Sequence, residues 1–362
     1  MATIDDVAKK ANVSKMTVSR VLNDPSKVKD ATRNHVLEVI KELNYRPNMM
    51  AKGLVTKRSH TIAILIASIS NPYHPRVVQG AEDACYKNGY NVILCNANAK
   101  KREQEYIQVL KDKFVDGIIF HHLNITLPEA IDLENSGIKC VHIDNEKPLL
   151  NVTNMLLDQT EGAYMATNYL IELGHKKIGI IHGALAFKED DVDLIYEHTF
   201  QFSIWNQRLD GYYKAMADNG LKVDKKYMLE GDGGADRGII RGKMAIEKMV
   251  GGREGVKEFL SREDRPTAIY AQNDQMAIGA INGAIECGLR IPEDLSIIGQ
   301  DGLDMSESLY PRLTTIEQPR YEIGYKAAIA IIDMLEHGKE HNTINIKSKL
   351  AISESTAKLE KK

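Results

Sequence analysis

The sequence predicts an all-α head followed by a larger α/β body built on parallel sheets. Three observations carry this. The first sixty residues hold short helical patterns and 12 Lys+Arg against 6 Asp+Glu, a charge of +6, while the remaining 302 residues total −9. From Thr61 onward, apolar runs of strand length recur ahead of amphipathic stretches, the alternation expected of a parallel sheet covered on both faces. At 362 residues, 43% apolar and 27% charged, the chain has the composition of a folded protein of two or three compact units.

Several classes are set aside by composition. No apolar run reaches the ~18 residues that cross a bilayer, and the polar start lacks an export segment. Cys85, Cys95, Cys140 and Cys287 lie far apart without C-x-x-C spacing, so neither a disulfide framework nor a zinc site is expected. They read as reduced, mostly buried small hydrophobes. A cytoplasmic protein with no membrane partner is the expectation.

Within the head, Thr3 caps a first helix over 3–11, with Asp5 and Asp6 in its first turn and Ile4, Val7, Ala8 and Ala11 on one face. Asn12 suits a left-handed turn. Ser14 caps a second helix, KMTVSRVLN, whose Val18, Val21 and Leu22 face inward; a third, about 31–43, buries Val36, Val39, Ile40 and Leu43. Two short helices joined by about three residues form a helix-turn-helix. If the second helix enters the major groove, Lys15, Met16, Ser19 and Arg20 meet base edges. Arg20 offers two donors to guanine and Met16 an apolar contact to a thymine methyl. Ser14, Thr17 and Asn23 suit phosphates. The plainer alternative is a structural hairpin with exposed basic side chains.

The stretch TIDDVAKKANVSKMTVSRVLN, with Thr32-Arg33 and Leu43-Asn44-Tyr45-Arg46-Pro47-Asn48, resembles the head of LacI/GalR transcriptional regulators. The resemblance implies that Lys15, Met16 and Arg20 set operator preference, and that Ser14, Thr17, Asn23 and Thr32 touch phosphates of double-stranded operator DNA. Lys29 departs from the family's usual Ser, and Asp30 is expected to cap the third helix instead.

Residues 47–60, PNMMAKGLVTKRSH, are polar and short for an independent helix. Asn48 can cap a turn or two with Met50, Ala51 and Leu54 on one face, although Gly53 costs about 1 kcal/mol relative to Ala. The resemblance implies a hinge helix folding in the minor groove beside its dimer mate, with Asn48, Ala51 and Leu54 matching and Leu54 as the wedge that bends the duplex. A plain linker is the alternative.

In the body, TIAILIAS, YNVILCNA, GIIFHH, IKCVHID, KIGIIHG, AIYAQ and LSIIGQD read as strands. Segments 75–88, 102–113, 159–173, 208–219, 275–287 and 321–336 read as helices. Two sets of five to six strands predict two lobes, with a ligand in the crevice at the strand ends. Those ends are Ser68–His74, Phe120-His121-His122, His142–Asn145, Asn273-Asp274 and Gln300-Asp301. Paired donors and acceptors there suit a polyhydroxyl ligand, although an Asp after a strand commonly only closes a turn.

The resemblance continues to about Ser355 through ISNPYH, LGHKKIGIIHG, RLDGYYKAM, NDQMAIGA, GLRIPEDLSIIGQD and PRLTTIEQP. It implies an effector domain similar to periplasmic sugar-binding proteins: two lobes, three crossovers and a ligand in the cleft. Arg208, Asn273 and Asp301 match residues that hold sugar hydroxyls. Tyr73 and His74 match the first-lobe wall, and Asp144 another cleft position. Gly233 departs from the aromatic residue often found there. The implied division is a head at 1–46, a hinge at 47–60 and an effector and dimerisation domain at 61–356. Its first lobe is about 61–156 and 320–347, its second about 157–317 and 348–356.

Segment 187–205 carries Phe187, Tyr196, Phe200, Phe202 and the sole tryptophan, Trp205. It reads either as a lid over the cleft, with Trp205 and Phe202 stacking on an effector larger than a pentose, or as a flap on its own core. No nucleotide loop, nucleophile motif or metal motif occurs, so neither an enzyme nor a cofactor is expected. His121 and His122, adjacent at a strand end, point to opposite sides and make a poor metal pair.

The combined expectation is a homodimeric repressor of carbohydrate-utilisation genes controlled allosterically by a mono- or oligosaccharide. The alternatives are a purine- or nucleoside-responsive corepressor mode and a sugar-binding transport protein.

Overall fold

A computed structural model describes residues 2–45, 58–97, 100–112, 115–121, 123, 125–144, 152–183, 192–231, 244–339 and 343–360, with side chains described in all of these except 100, 192–203 and 244–247. The chain divides into two compact units, Met1–His60 and Thr61–Lys362.

In the first unit, α1 (Ile4–Lys10), α2 (Lys15–Asn23) and α3 (Asp30–Glu42) enclose Val7, Ala8, Ala11, Val18, Val21, Val36 and Val39. Thr3 and Asp6 form a reciprocal cap on α1, and the Ser14 hydroxyl accepts the Thr17 N–H at 3.1 Å to start α2. Asn12 between them has φ 49°, the left-handed turn its short amide tolerates. The expected Asp30 cap is not what opens α3. Lys29 stands at the cap position without a side-chain bond, and Asp30 is already the first helical residue, paired with Arg33 at 2.8 Å. There its charge complements the helix dipole instead.

The second unit holds two six-stranded sheets. The first contains β1 (Thr61–Ile66), β2 (Asn91–Asn96), β3 (Gly117–His121), β4 (Lys139–Ile143), β5 (Thr153–Leu157) and β11 (Thr343–Ile346), in the order β11-β5-β4-β3-β1-β2. Every pairing in it is parallel. The second contains β6 (Ile178–His182), β7 (Met228–Glu230), β8 (Ala268–Ala271), β9 (Ser296–Asp301), β10 (Thr314–Glu317) and β12 (Lys349–Ala351), in the order β12-β10-β9-β8-β6-β7. Here β10 and β12 run antiparallel, a departure from the all-parallel expectation.

Strand alternation explains the two-sided burial. On β1, Ile62, Ile64 and Ile66 face one core with α4 (His74–Lys87) and α11 (Arg320–His337), while Ala63 and Leu65 face another with α5 (Lys100–Asp112) and α6 (Leu127–Asn135). On β8, Ile269 and Ala271 pack toward α9 (Met244–Leu260) and α10 (Asp274–Glu286). Ala268 and Tyr270 pack toward α7 (Gln159–Glu172) and α8 (Val192–Asp218). The chain passes between sheets three times: after Leu157, after Glu317 and after Ile346. α8 begins at Val192, not near Arg208 as its apolar spacing suggested, so Trp205 and Arg208 lie one turn apart on a single helix.

Candidate functional site

The head presents one exposed polar face. Met16 is 64% exposed although it is apolar, because Val18 and Val21 take the inward positions of α2. Lys15 and Arg20 are also exposed, and Ser19 is half-buried. Lys15 pairs with Asp5 at 2.5 Å, both ends solvated, an interaction worth little and readily exchanged for a phosphate or base. Ser14 and Thr17 share a hydroxyl bond at 2.9 Å, Asn23 donates back to the Ser19 carbonyl at 2.9 Å, and Thr32 is half-buried on α3. A short helix with an apolar back, a basic front and hydroxyls at its start is suited to a polyanion groove. Asn48, Ala51 and Leu54 fall outside the described residues.

Within the second unit, a cavity between the sheets gathers Tyr73, Asp144, Asn273 and Asp301 from strand ends and helix starts, and Arg208 from within α8. Among the described residues, Trp205, Lys248, Asn71, Ile204, Gln275 and Gln318 also line it. Arg208 is deeply buried and held from three sides. Its Nη2 donates to Asp301 Oδ1 at 2.9 Å, its Nε to Gln159 Oε1 at 2.9 Å, and its Nη1 to the Gln272 carbonyl. Burial opposes the guanidinium charge, but the Asp301 carboxylate and further neighbours outweigh it and leave the arginine pKa raised. Two of its five N–H groups are not used in these bonds. Asn273 caps α10 by accepting the Met276 N–H at 2.7 Å, which aims the rest of its amide at the cavity.

Asp144 directly follows β4 in a left-handed conformation, φ 62°, which an aspartate tolerates. Its carboxylate accepts the Leu157 N–H at 3.2 Å and the Gln159 Nε2–H at 2.8 Å. Gln159, just past the first passage between sheets, also accepts from Gln318 Nε2 at 3.0 Å, just past the second. Tyr73 is buried, and burial, then the Asp144 and Asp301 charges, push its hydroxyl pKa well up. Asp274, one residue after Asn273, sits behind the wall and accepts from the Leu303 N–H at 2.7 Å and the Ser306 hydroxyl at 3.0 Å. Burial, then the Asp301 charge, raise its pKa to about 6.

One expectation changes. His74 does not line the cavity: it opens α4 pointing into the first lobe, where its Nδ1 lies 3.1 Å from His121 Nδ1. Tyr73, the preceding residue, does line the wall. Trp205, read as part of a lid or a flap, is a residue of α8, 4% exposed, that lines the cavity. Its indole presses on Gly183, where an added Cβ would stand 2.2 Å from the ring. The Phe202 side chain, Phe187 and Gly233 lie outside the described residues, as does His122.

Sequence reasoning overlooked Gln159, Gln318 and Lys248. Gln318 stood in the quoted stretch PRLTTIEQP, immediately after a strand. Lys248 carried no signal, because its helix has no clear apolar period. Among the described residues, no group of three His, Cys, Asp or Glu side chains is placed to hold a metal. No described helix is long and apolar enough to cross a membrane.

Comparison with known proteins places these two sites in context. Residues 3–48 match the description "Bacterial regulatory proteins, lacI family", and residues 167–356 match "Periplasmic binding protein-like domain". The chain is 35% identical over 338 residues to the HTH-type transcriptional regulator RegA of Clostridium saccharobutylicum, covering 92% of this chain and 93% of that one. It is 34% identical over 346 residues to the HTH-type transcriptional repressor PurR of Vibrio vulnificus strain CMCP6, covering 94% of each. Among solved structures it is similar to a transcriptional regulator CelR–cellobiose complex, with a TM-score of 0.64 at 26% identity over 98% of this chain and 100% of that one. The lac repressor dimer bound to operator and the anti-inducer ONPF shares the fold, with a TM-score of 0.79 at 24% identity over 98% and 99%.

Proposed function

The chain belongs to the lacI family of bacterial DNA-binding transcriptional regulators, and from that premise we propose that it represses carbohydrate-utilisation genes under the control of a sugar. It is a regulator and not an enzyme. The observation that carries the sugar reading is the Arg208–Asp301 pair, which faces the same cavity as Asn273 and Asp144. Matched donors and acceptors in a buried wall select for hydroxyls, since each must find a partner. The similarity to a cellobiose complex supports the same ligand class.

In this reading the protein works as a cytoplasmic homodimer on double-stranded operator DNA. Lys15, Met16, Ser19 and Arg20 read bases; Ser14, Thr17, Asn23 and Thr32 hold phosphates; and Asn48, Ala51 and Leu54 enter the minor groove. Sugar binding changes the relation of the two lobes through Gln159 and Gln318, and the dimer states differ in sugar affinity. Coupling of about 1–3 kcal/mol, 5–150-fold in DNA affinity, is typical of such a linkage. The test is binding to a promoter fragment of the protein's own gene, with ribose, glucose, cellobiose, hypoxanthine and guanine added singly. A sugar that changes DNA affinity supports the reading. A purine that strengthens DNA binding while every sugar is inert replaces it with corepression by a base.

A further inference from the structure

Lys248 is the odd cation of the cavity. It is 7% exposed, it lines the wall, and among the described residues it has neither a carboxylate within ion-pair distance nor a hydrogen-bond acceptor. The contrast with other basic residues is direct. Lys177, Lys226 and Lys257 are far more exposed, and each has an acid partner, while the buried Arg208 is matched by Asp301. What Lys248 does have is the Trp205 indole, with its Nζ 5.0 Å from the ring centroid. An aromatic face partly stabilises a desolvated ammonium but supplies no net charge. An ammonium on the cavity wall with no acid beside it among the described residues is a ready partner for an anionic ligand.

A second unmatched group stands on the same wall. Gln318 Oε1 is buried without a hydrogen-bond partner among the described residues, while its amide nitrogen is engaged by Gln159. Among the described residues the wall thus offers a cation without a matching acid, and a sugar carrying an acidic group supplies one. We infer that the effector is an anionic saccharide whose carboxylate or phosphate sits on Lys248 beside Trp205 while its hydroxyls meet Arg208, Asn273, Asp301 and Gln318. This rests on the sugar reading of the cavity and narrows it to sugar acids and sugar phosphates.

Trp205, the only tryptophan, reports from beside the charge. Its fluorescence, with calorimetry as a check, is followed while the full-length protein is titrated with D-glucose, D-glucuronate, D-gluconate and glucose 6-phosphate, and with D-galactose and D-galacturonate. At least one anion should bind about tenfold or more tighter than its neutral parent. The K248M variant should erase that advantage, bringing the anion-to-neutral affinity ratio close to one, whereas K248R should retain most of it. The uronate, aldonate and phosphate arms separate the two anion types. Neutral sugars binding as tightly as their acids in the unaltered protein overturn the inference and leave the sugar reading standing. An anion advantage that survives K248M also overturns it. Binding of no member of the panel overturns both. If K248M fails to fold, the neutral-against-acid comparison in the unaltered protein decides alone.

Discussion

Gln159 Oε1 accepts the Nε–H of Arg208 at 2.9 Å, and through that bond the guanidinium in the second lobe is tied to the point where the chain first leaves the first lobe. The same amide donates to Asp144 at 2.8 Å, so one side chain spans the cavity wall between Asp144 and Arg208. A ligand that draws on Arg208 or Asp144 therefore acts on Gln159 as well. The residue is a structural candidate for passing cavity occupancy to lobe geometry.

Replacing Gln159 with Leu should leave the Arg208 Nε–H and the Gln318 amide without their acceptor. Each buried, orphaned donor costs about 1–3 kcal/mol, so a loss of roughly 3 kcal/mol is expected in urea unfolding. The same variant should weaken the effect of sugar on DNA affinity more than it weakens DNA binding itself. A Q159L protein of unchanged midpoint and undiminished sugar response would contradict the relay.

Breaking the buried Arg208–Asp301 pair from one side should be costly. Arg208→Met strands the carboxylate and Asp301→Leu strands the guanidinium, each at roughly 3–5 kcal/mol, while the double variant should recover much of that loss. The check is a double-mutant cycle by chemical denaturation. Additive effects would show that the two groups do not depend on one another.

Asp274 predicts a pH signature of known sign. Its folded-state pKa, about 6, is raised above the ordinary value of 3.8. Between those values the folded protein holds a proton that the unfolded chain lacks, so this group adds stability as pH falls from 7 toward 4 and removes it as pH rises. The full effect is about 3 kcal/mol by linkage. Asp274→Asn abolishes the titration while keeping an acceptor for Leu303 and Ser306. The stability advantage of D274N over the unaltered protein should therefore shrink by about that amount between pH 7 and pH 4. A difference that stays flat with pH would contradict the assignment.

Arg20 is exposed on α2 and free to reach a base edge. Arg20→Ala should cost about 1–3 kcal/mol on the specific operator and relax preference at one base pair. The α2 fold should be unaffected, since Val18 and Val21 make its core contacts. Equal loss on specific and random DNA would instead make Arg20 a phosphate contact.

Much of this architecture was legible because local chemistry dictated it. The second helix runs from Lys15 to Asn23 as read, since Ser14 caps one end and its apolar residues share one face. The unbroken apolar run Ile62, Ala63, Ile64, Leu65 and Ile66 announced a strand buried on both sides. Short peripheral strands such as Met228–Glu230 and Lys349–Ala351 carry too few residues to show a period, and they were overlooked. His74 went astray because neighbouring residues at a helix start point apart, which no local pattern reveals. Lys248 and Gln159 matter through partners distant in sequence, Trp205 for the first and Asp144 with Arg208 for the second.

Fluorescence anisotropy with a labelled fragment of the protein's own promoter, at about 150 mM salt, tests the central claim most directly. The unaltered protein should prefer that fragment to a scrambled one by roughly a thousandfold or more, and a saturating sugar should change its affinity by about 5–150-fold. Equal affinity for promoter and scrambled DNA, unmoved by any sugar, would contradict the account.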